Sequence, residues 1–233
     1  MTKLLYVVTG SDHWTLKDGT AHPTGYWAEE LVESHRTFTE AGWDIVVATP
    51  GGVTPTVDEG SLAVEANGGD EAKVADLKSY LESVKDVLAS PARLEDQTAS
   101  SFDAVFVPGG HGPMEDLAVS DDFGALVTEF LDSGKIVSAV CHAPAALLSA
   151  KRDDGSWPFS GYQLTGFTNQ EEEQAGLADK APWLLETRLR DGGASFSAAD
   201  AWSPHVIVDR TVYTGQNPAS TKALADRLVA ALS

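Results

Sequence analysis

The stretch Ile136-Val137-Ser138-Ala139-Val140-Cys141-His142-Ala143-Pro144 reads as a buried strand that breaks directly into a helix, with the chain's only cysteine at the break. A sharp strand-to-helix turn lifts its residue above the sheet edge and aims the free amides of the helix N-terminus at whatever binds there. The partial positive charge of such a helix end lowers a thiol pKa, which predicts a Cys141 partly thiolate near neutral pH. A lone cysteine is usually a small buried hydrophobe. The adjacent His142 and the small neighbours Ala139 and Ala143 favour a nucleophile here.

Outward from this elbow, short apolar runs alternate with longer amphipathic segments, the pattern of a parallel sheet covered by helices on both faces. Strands are predicted near 3–8, 44–49, 104–107 and 135–140. Between the first two, Trp27, Leu31, His35 and Phe38 recur at helical spacing over Tyr26–Ala41, and Gly42 follows as a C-cap. Ser120 reads as the N-cap of a helix over about Asp121–Asp132. Residues 53–100 interrupt the alternation as an insertion with a helix over about Asp70–Leu88. Beyond the elbow come a strand near Gln163–Gly166, a helix near Pro182–Arg190, two β runs at His205–Asp209 and Thr211–Thr214, and a helix over Pro218–Leu232. The expectation is one α/β domain spanning residues 1–233.

Composition narrows the function. The 35 acidic against 16 basic residues give a formal charge of −19, which leaves no basic stripe for a phosphate backbone and argues against nucleic-acid binding. A single cysteine excludes an intrachain disulfide and fits a reducing compartment. No apolar run is long enough to cross a bilayer, so a soluble cytoplasmic protein is expected.

In open α/β sheets ligands bind beyond the strand carboxyl ends. Two such ends are Cys141 and the turn Val107-Pro108-Gly109-Gly110-His111-Gly112, so the amides of Gly110 and His142 can converge on one oxyanion, with His111 beside them. Glu30, early in the first helix, reaches the same edge; repulsion by a thiolate and partial burial would raise its pKa into the range of a proton shuttle. Spacing alone does not separate it from Glu29 or Glu33. A third group to orient His142 is sought in the run Glu171-Glu172-Glu173, where spacing again leaves the choice open. No His, Cys, Asp or Glu group has zinc-type local spacing, and no G-x-G-x-x-G follows the first strand, so neither a metal nor a nucleotide cofactor is expected.

Five blocks, Thr24-Gly25-Tyr26-Trp27-Ala28-Glu29-Glu30-Leu31, Val107 to Gly112, Ala139 to Pro144, Thr165-Gly166-Phe167-Thr168-Asn169-Gln170-Glu171-Glu172 and Thr214-Gly215-Gln216-Asn217-Pro218-Ala219-Ser220, resemble in order the PfpI/ThiJ superfamily. Within that glutamine amidotransferase-like fold they are most similar to the heat-shock chaperone and glyoxalase III branch. The resemblance implies a flavodoxin-like three-layer α/β sandwich with a mostly parallel central sheet, often a homodimer. It also implies glutathione-independent conversion of methylglyoxal, a small dicarbonyl, to lactate without a cofactor. It places the nucleophile on Cys141, its histidine on His142, the acidic third member on Glu172 and the helix glutamate on Glu30. Class I glutamine amidotransferases present Gly-x-Cys-x-Gly, whereas this chain has Ala139-Val140-Cys141-His142-Ala143, which disfavours glutamine hydrolysis. Ser34 stands where many relatives of the branch have proline. The alternatives are a holding chaperone or redox-sensing stress protein of the same fold, and a cysteine amidase or peptidase.

Overall fold

The computed structural model describes residues 1–233. The apolar N-terminal run forms β1 (Lys3–Val7), and a hairpin of β2 (His13–Thr15) and β3 (Ala21–Pro23) follows. Helix α1 (Ala28–Glu40) buries Leu31, Val32, His35 and Phe38, and Gly42 closes it in the left-handed region at φ 73°. After β4 (Asp44–Thr49), the segment expected as one helix over 70–88 divides at Val84 into α2 (Glu71–Ser83) and α3 (Lys85–Leu88). Val84 takes φ −107° and ψ 7°, outside the helical region, which turns Leu88 into the main core while Leu77 packs on Ala28 and Val32. The same segment adds an edge strand, β5 (Ala92–Arg93), which pairs with β4.

The alternation then resumes with β6 (Ala104–Val107), a single turn α4 (Gly112–Glu115), α5 (Asp121–Asp132) and β7 (Ile136–Val140). Ser120 caps α5 by accepting from the Phe123 amide at 3.1 Å. The strand expected at 163–166 is reduced to β8 (Gln163–Leu164), which pairs with β9 (Ser195–Phe196) in a two-stranded sheet outside the main one. Helices α6 (Asn169–Gln174) and α7 (Leu185–Asp191) lie between them. The hairpin β10 (Val206–Asp209) and β11 (Val212–Gly215) precedes α8 (Thr221–Ala231).

The main sheet runs β10-β11-β7-β6-β1-β4-β5, parallel except for the β10–β11 pair. Its central strands β6 and β7 are buried along their whole length, as expected where helices cover both faces. The chain leaves β1 toward β4 on one side and toward β6 and β7 on the other, so the order reverses between β1 and β6. A crevice opens at such a reversal beyond the strand carboxyl ends. Gly109 and Cys141 stand at those ends, each two residues beyond the Val107–Ala139 pair.

Candidate active site

Cys141 follows β7 with φ 62°, one of three non-glycine residues in the left-handed region. A side chain there costs roughly 1–3 kcal/mol, tolerated when the surroundings over-determine the conformation. They do: the Cys141 amide donates to the Gly215 carbonyl at 3.0 Å, and its own carbonyl accepts from the Phe167 amide at 2.8 Å. The expected helix beyond it is a 3-10 helix of seven residues, Ala143–Ser149, buried except at Leu148. That weakens the dipole on which a lowered thiol pKa depended. The expectation of a partly ionised thiol is overturned: burial, and then Glu30, push the Cys141 thiol well up.

His142 and Glu30 meet this thiol, and Glu172 and His111 stand behind His142. His142 Nδ1 lies 3.3 Å from Cys141 Sγ, and its Nε2 lies 2.8 Å from Glu172 Oε2. The other Glu172 oxygen lies 3.0 Å from His111 Nε2. Burial opposes charge on Glu172, but His142 and His111 more than offset it and hold the carboxyl well below the usual range. Burial and the neighbouring His111 bring His142 down to about 4. An anionic Glu172 between two N–H donors fixes the tautomer of His142, since the hydrogen on Nε2 leaves the Nδ1 lone pair facing the thiol.

Glu30 is fully buried, and burial raises its carboxyl to about 8 against the hydrogen bonds that favour its ionised form. Its Oε2 accepts from the Gly109 amide at 2.6 Å, while Oε1 is buried without a protein partner. A neutral Glu30 therefore has one oxygen free to carry its proton beside the sulfur. Gly109 is confined by the same contacts, because a Cβ there would stand 2.9 Å from Glu30 Oε2 and 3.1 Å from Cys141 Cβ. An alanine at Gly109 is expected to drive the carboxyl and the thiol apart, measurable as a tenfold or greater drop in Cys141 alkylation or turnover, with a cost of about 1–3 kcal/mol in stability.

Of the two amides expected to face an oxyanion, neither Gly110 nor His142 donates to a backbone carbonyl, and the His142 N–H faces the sulfur. Both residues line a cavity of about 70 Å³ beside Cys141, which Trp27, Phe167 and Trp202 also line. A cavity measured by where a water-sized sphere can be centred needs about 10–15 Å³ to hold one water, so this one suits a small ligand of several heavy atoms. A wider groove of about 440 Å³ bordered by Trp157, Trp183 and Arg188 lies elsewhere and contains none of the groups gathered around the thiol. Chemistry places the site at the smaller cavity.

The run of three glutamates separates cleanly. Glu171 Oε2 accepts from the Thr168 amide and hydroxyl, and Oε1 from Trp202 N, Gln216 Nε2 and Asn217 Nδ2, so it ties three loops together. Glu172 faces the histidines and Glu173 is exposed. His111, expected at the substrate, lines the cavity over Cys141, bonds Glu172 through Nε2 and stacks on Trp14 at 4.9 Å. His205 bonds Ser197 at 3.0 Å and takes no part. His111, His142 and Glu172 bring possible metal-ligand atoms within 4.8 Å of one another, a grouping hidden from local spacing. Both Nε2 atoms are engaged by the carboxylate, so the three form one hydrogen-bonded chain.

The profile of the DJ-1/PfpI family matches residues 23–231. The chain belongs to the DJ-1/PfpI family. It is 34% identical over 195 residues to the glutamine amidotransferase-like class 1 domain-containing protein 1 of Bos taurus, covering 83% of this chain and 82% of that protein. It is 27% identical to the protein/nucleic acid deglycase HchA of Staphylococcus aureus, over 95% of this chain and 77% of that one. The glyoxalase III structure from Candida albicans superposes with a TM-score of 0.83 at 23% identity, covering 99% and 97% of the two chains, and shares the fold. No helix is long and apolar enough to cross a membrane.

Proposed function

We propose that this protein is a glutathione-independent glyoxalase III that converts methylglyoxal to lactate, with Cys141 as nucleophile. The observation that carries the reading is a neutral His142 whose Nδ1 faces the thiol at 3.3 Å, oriented by Glu172 at 2.8 Å. That arrangement deprotonates the thiol during attack and needs no resting thiolate. The relationship to the staphylococcal deglycase supports carbonyl-adduct chemistry on this scaffold.

As sulfur bonds to the aldehyde carbon, His142 takes the thiol proton and Glu30 gives its own to the carbonyl oxygen, with the Gly110 amide as a further donor to that oxygen. The product is a hemithioacetal. The Glu30 carboxylate then removes the hydrogen on that carbon as a proton and returns it to the neighbouring carbon through an enediolate, while the hydroxyl proton passes to the second oxygen. One carbon is oxidised and the other reduced, so no external redox partner enters. Water cleaves the resulting thioester, releasing lactate and restoring the thiol.

Lactate formation from methylglyoxal without glutathione tests the reading. Glu30→Gln keeps the shape but cannot shuttle a proton, and is expected to lower turnover about a hundredfold or more. Near-wild-type turnover in this variant would sink the assigned role. Wild-type activity is expected to plateau between about pH 4, where His142 takes up a proton, and about pH 8, where Glu30 loses one. In Glu30→Gln the alkaline limb should vanish.

The same residue links activity to stability. The carboxyl holds its proton more tightly in the folded chain than in the unfolded one, whose value is near 4.5. Folding is therefore least penalised below pH 4.5 and loses stability as pH rises to about 8, by up to about 5 kcal/mol. Thermal melts of wild type and Glu30→Gln should diverge across that window in favour of the variant. A difference independent of pH would contradict the buried neutral carboxyl.

A further inference from the structure

The cavity over Cys141 is bounded on its outer side by Trp202, whose side chain is 47% exposed although its ring faces the site. Trp202 sits at φ 64°, a conformation that a bulky residue rarely adopts. Three contacts hold it there. Its amide donates to Glu171 Oε1 at 2.8 Å, its indole Nε1 donates to Gln174 Oε1 at 2.5 Å, and its ring meets Phe167 edge-on at 5.5 Å. Phe167 in turn lies 4.3 Å from the His142 ring. All three anchors belong to the segment 167–174 that also supplies Glu172, so the rim and the relay share one support.

We propose that Trp202 is the specificity-determining residue of this site, setting a size limit that admits free small aldehydes and excludes the same carbonyl group carried on a macromolecular side chain. The inference rests on the aldehyde chemistry proposed above for its substrate class. The size limit itself rests on geometry. With about 70 Å³ available, a two- or three-carbon dicarbonyl fits under the indole. An adduct on a lysine or arginine must thread its stem past that ring, and α6 leaves the ring little freedom to yield. The wider groove at Trp157 and Trp183 is the more open of the two to solvent.

Because Cys141 is the only cysteine, its alkylation reports access to the cavity whether or not the protein turns over a substrate. Rates with iodoacetamide and with a fluorescein-bearing maleimide are measured on the full chain, as wild type, Trp202→Ala and Gln174→Ala. Taking the ratio of the two rates cancels any change in thiol ionisation. Removing the indole is expected to raise the bulky-to-small ratio tenfold or more, and Gln174→Ala, at an exposed position that leaves the ring in place but unanchored, to raise it by less. A ratio unchanged in both variants overturns the size limit. Lactate assays on the same preparations separate the two ideas: a shifted ratio without lactate formation in wild type leaves the rim intact and removes the glyoxalase reading. Lactate formation with an unshifted ratio does the reverse. Where wild type forms lactate and the ratio shifts, methylglyoxal-modified lysine peptide should become a substrate only for Trp202→Ala.

Discussion

Glu172→Gln is expected to lower lactate turnover on the order of 10³-fold while leaving the chain folded. The side chain keeps its volume but now offers one acceptor oxygen and one NH2 group to two histidine N–H donors. Whichever way the amide turns, His142 or His111 faces a donor and must move its hydrogen to Nδ1. If that residue is His142, the hydrogen then points at the sulfur and the base is gone. If it is His111, the tautomer of His142 survives, but the imidazolium formed during attack has lost the carboxylate 2.8 Å away that stabilises it. Replacing the carboxylate that orients a catalytic histidine by an amide costs about 10⁴-fold in kcat in a serine-protease triad, which sets the scale. A purely structural role for Glu172 would leave the pH profile of any residual activity unmoved. Glu172 is among the groups that raise the His142 pKa, so removing its charge should shift the acid limb below pH 4. A loss of less than tenfold with an unshifted limb would remove Glu172 from the relay.

The sequence carried the sheet well because its inner strands are buried on both faces and read as unbroken apolar runs. It carried less of the site, for reasons particular to each residue. The hairpin at 13–23 has strands of three residues, too short for a periodicity, yet it brings Trp14 onto His111. The choice among Glu171, Glu172 and Glu173 had a local signal: Thr168-x-x-Glu171 is a capping box, formed here, and it commits Glu171 to the start of α6. That leaves Glu172 as the other buried acid of the run. For Glu30 against Glu29 no local rule decides, because the difference is which side of α1 meets the Gly109 amide. Glu29 turns outward to Lys73. The thiol pKa went the wrong way because a strand-to-helix junction suggests a dipole, whereas desolvation acts through the whole shell of neighbours. Trp202 had no signal at all, as nothing in its flanking residues marks a left-handed tryptophan.

Cys141→Ala is expected to abolish lactate formation to the limit of detection, at least about 10³-fold, since no second nucleophile lies in the cavity and the hemithioacetal has nowhere to form. The fold should survive, because alanine occupies the same φ 62° position with fewer atoms to bury and the backbone bonds to Gly215 and Phe167 do not involve the sulfur. The more searching result is the double variant. If His142, Glu172 and Glu30 act only by activating this sulfur and moving protons on its adduct, their separate losses cannot add to the loss of the sulfur itself. Cys141→Ala with Glu172→Gln should then be no less active than Cys141→Ala alone, whereas independent contributions would multiply. Measurable turnover in Cys141→Ala that falls a hundredfold or more in the double variant would mean that the relay works on a substrate never bonded to Cys141. The thiol would then be the bystander and the two histidines the chemistry.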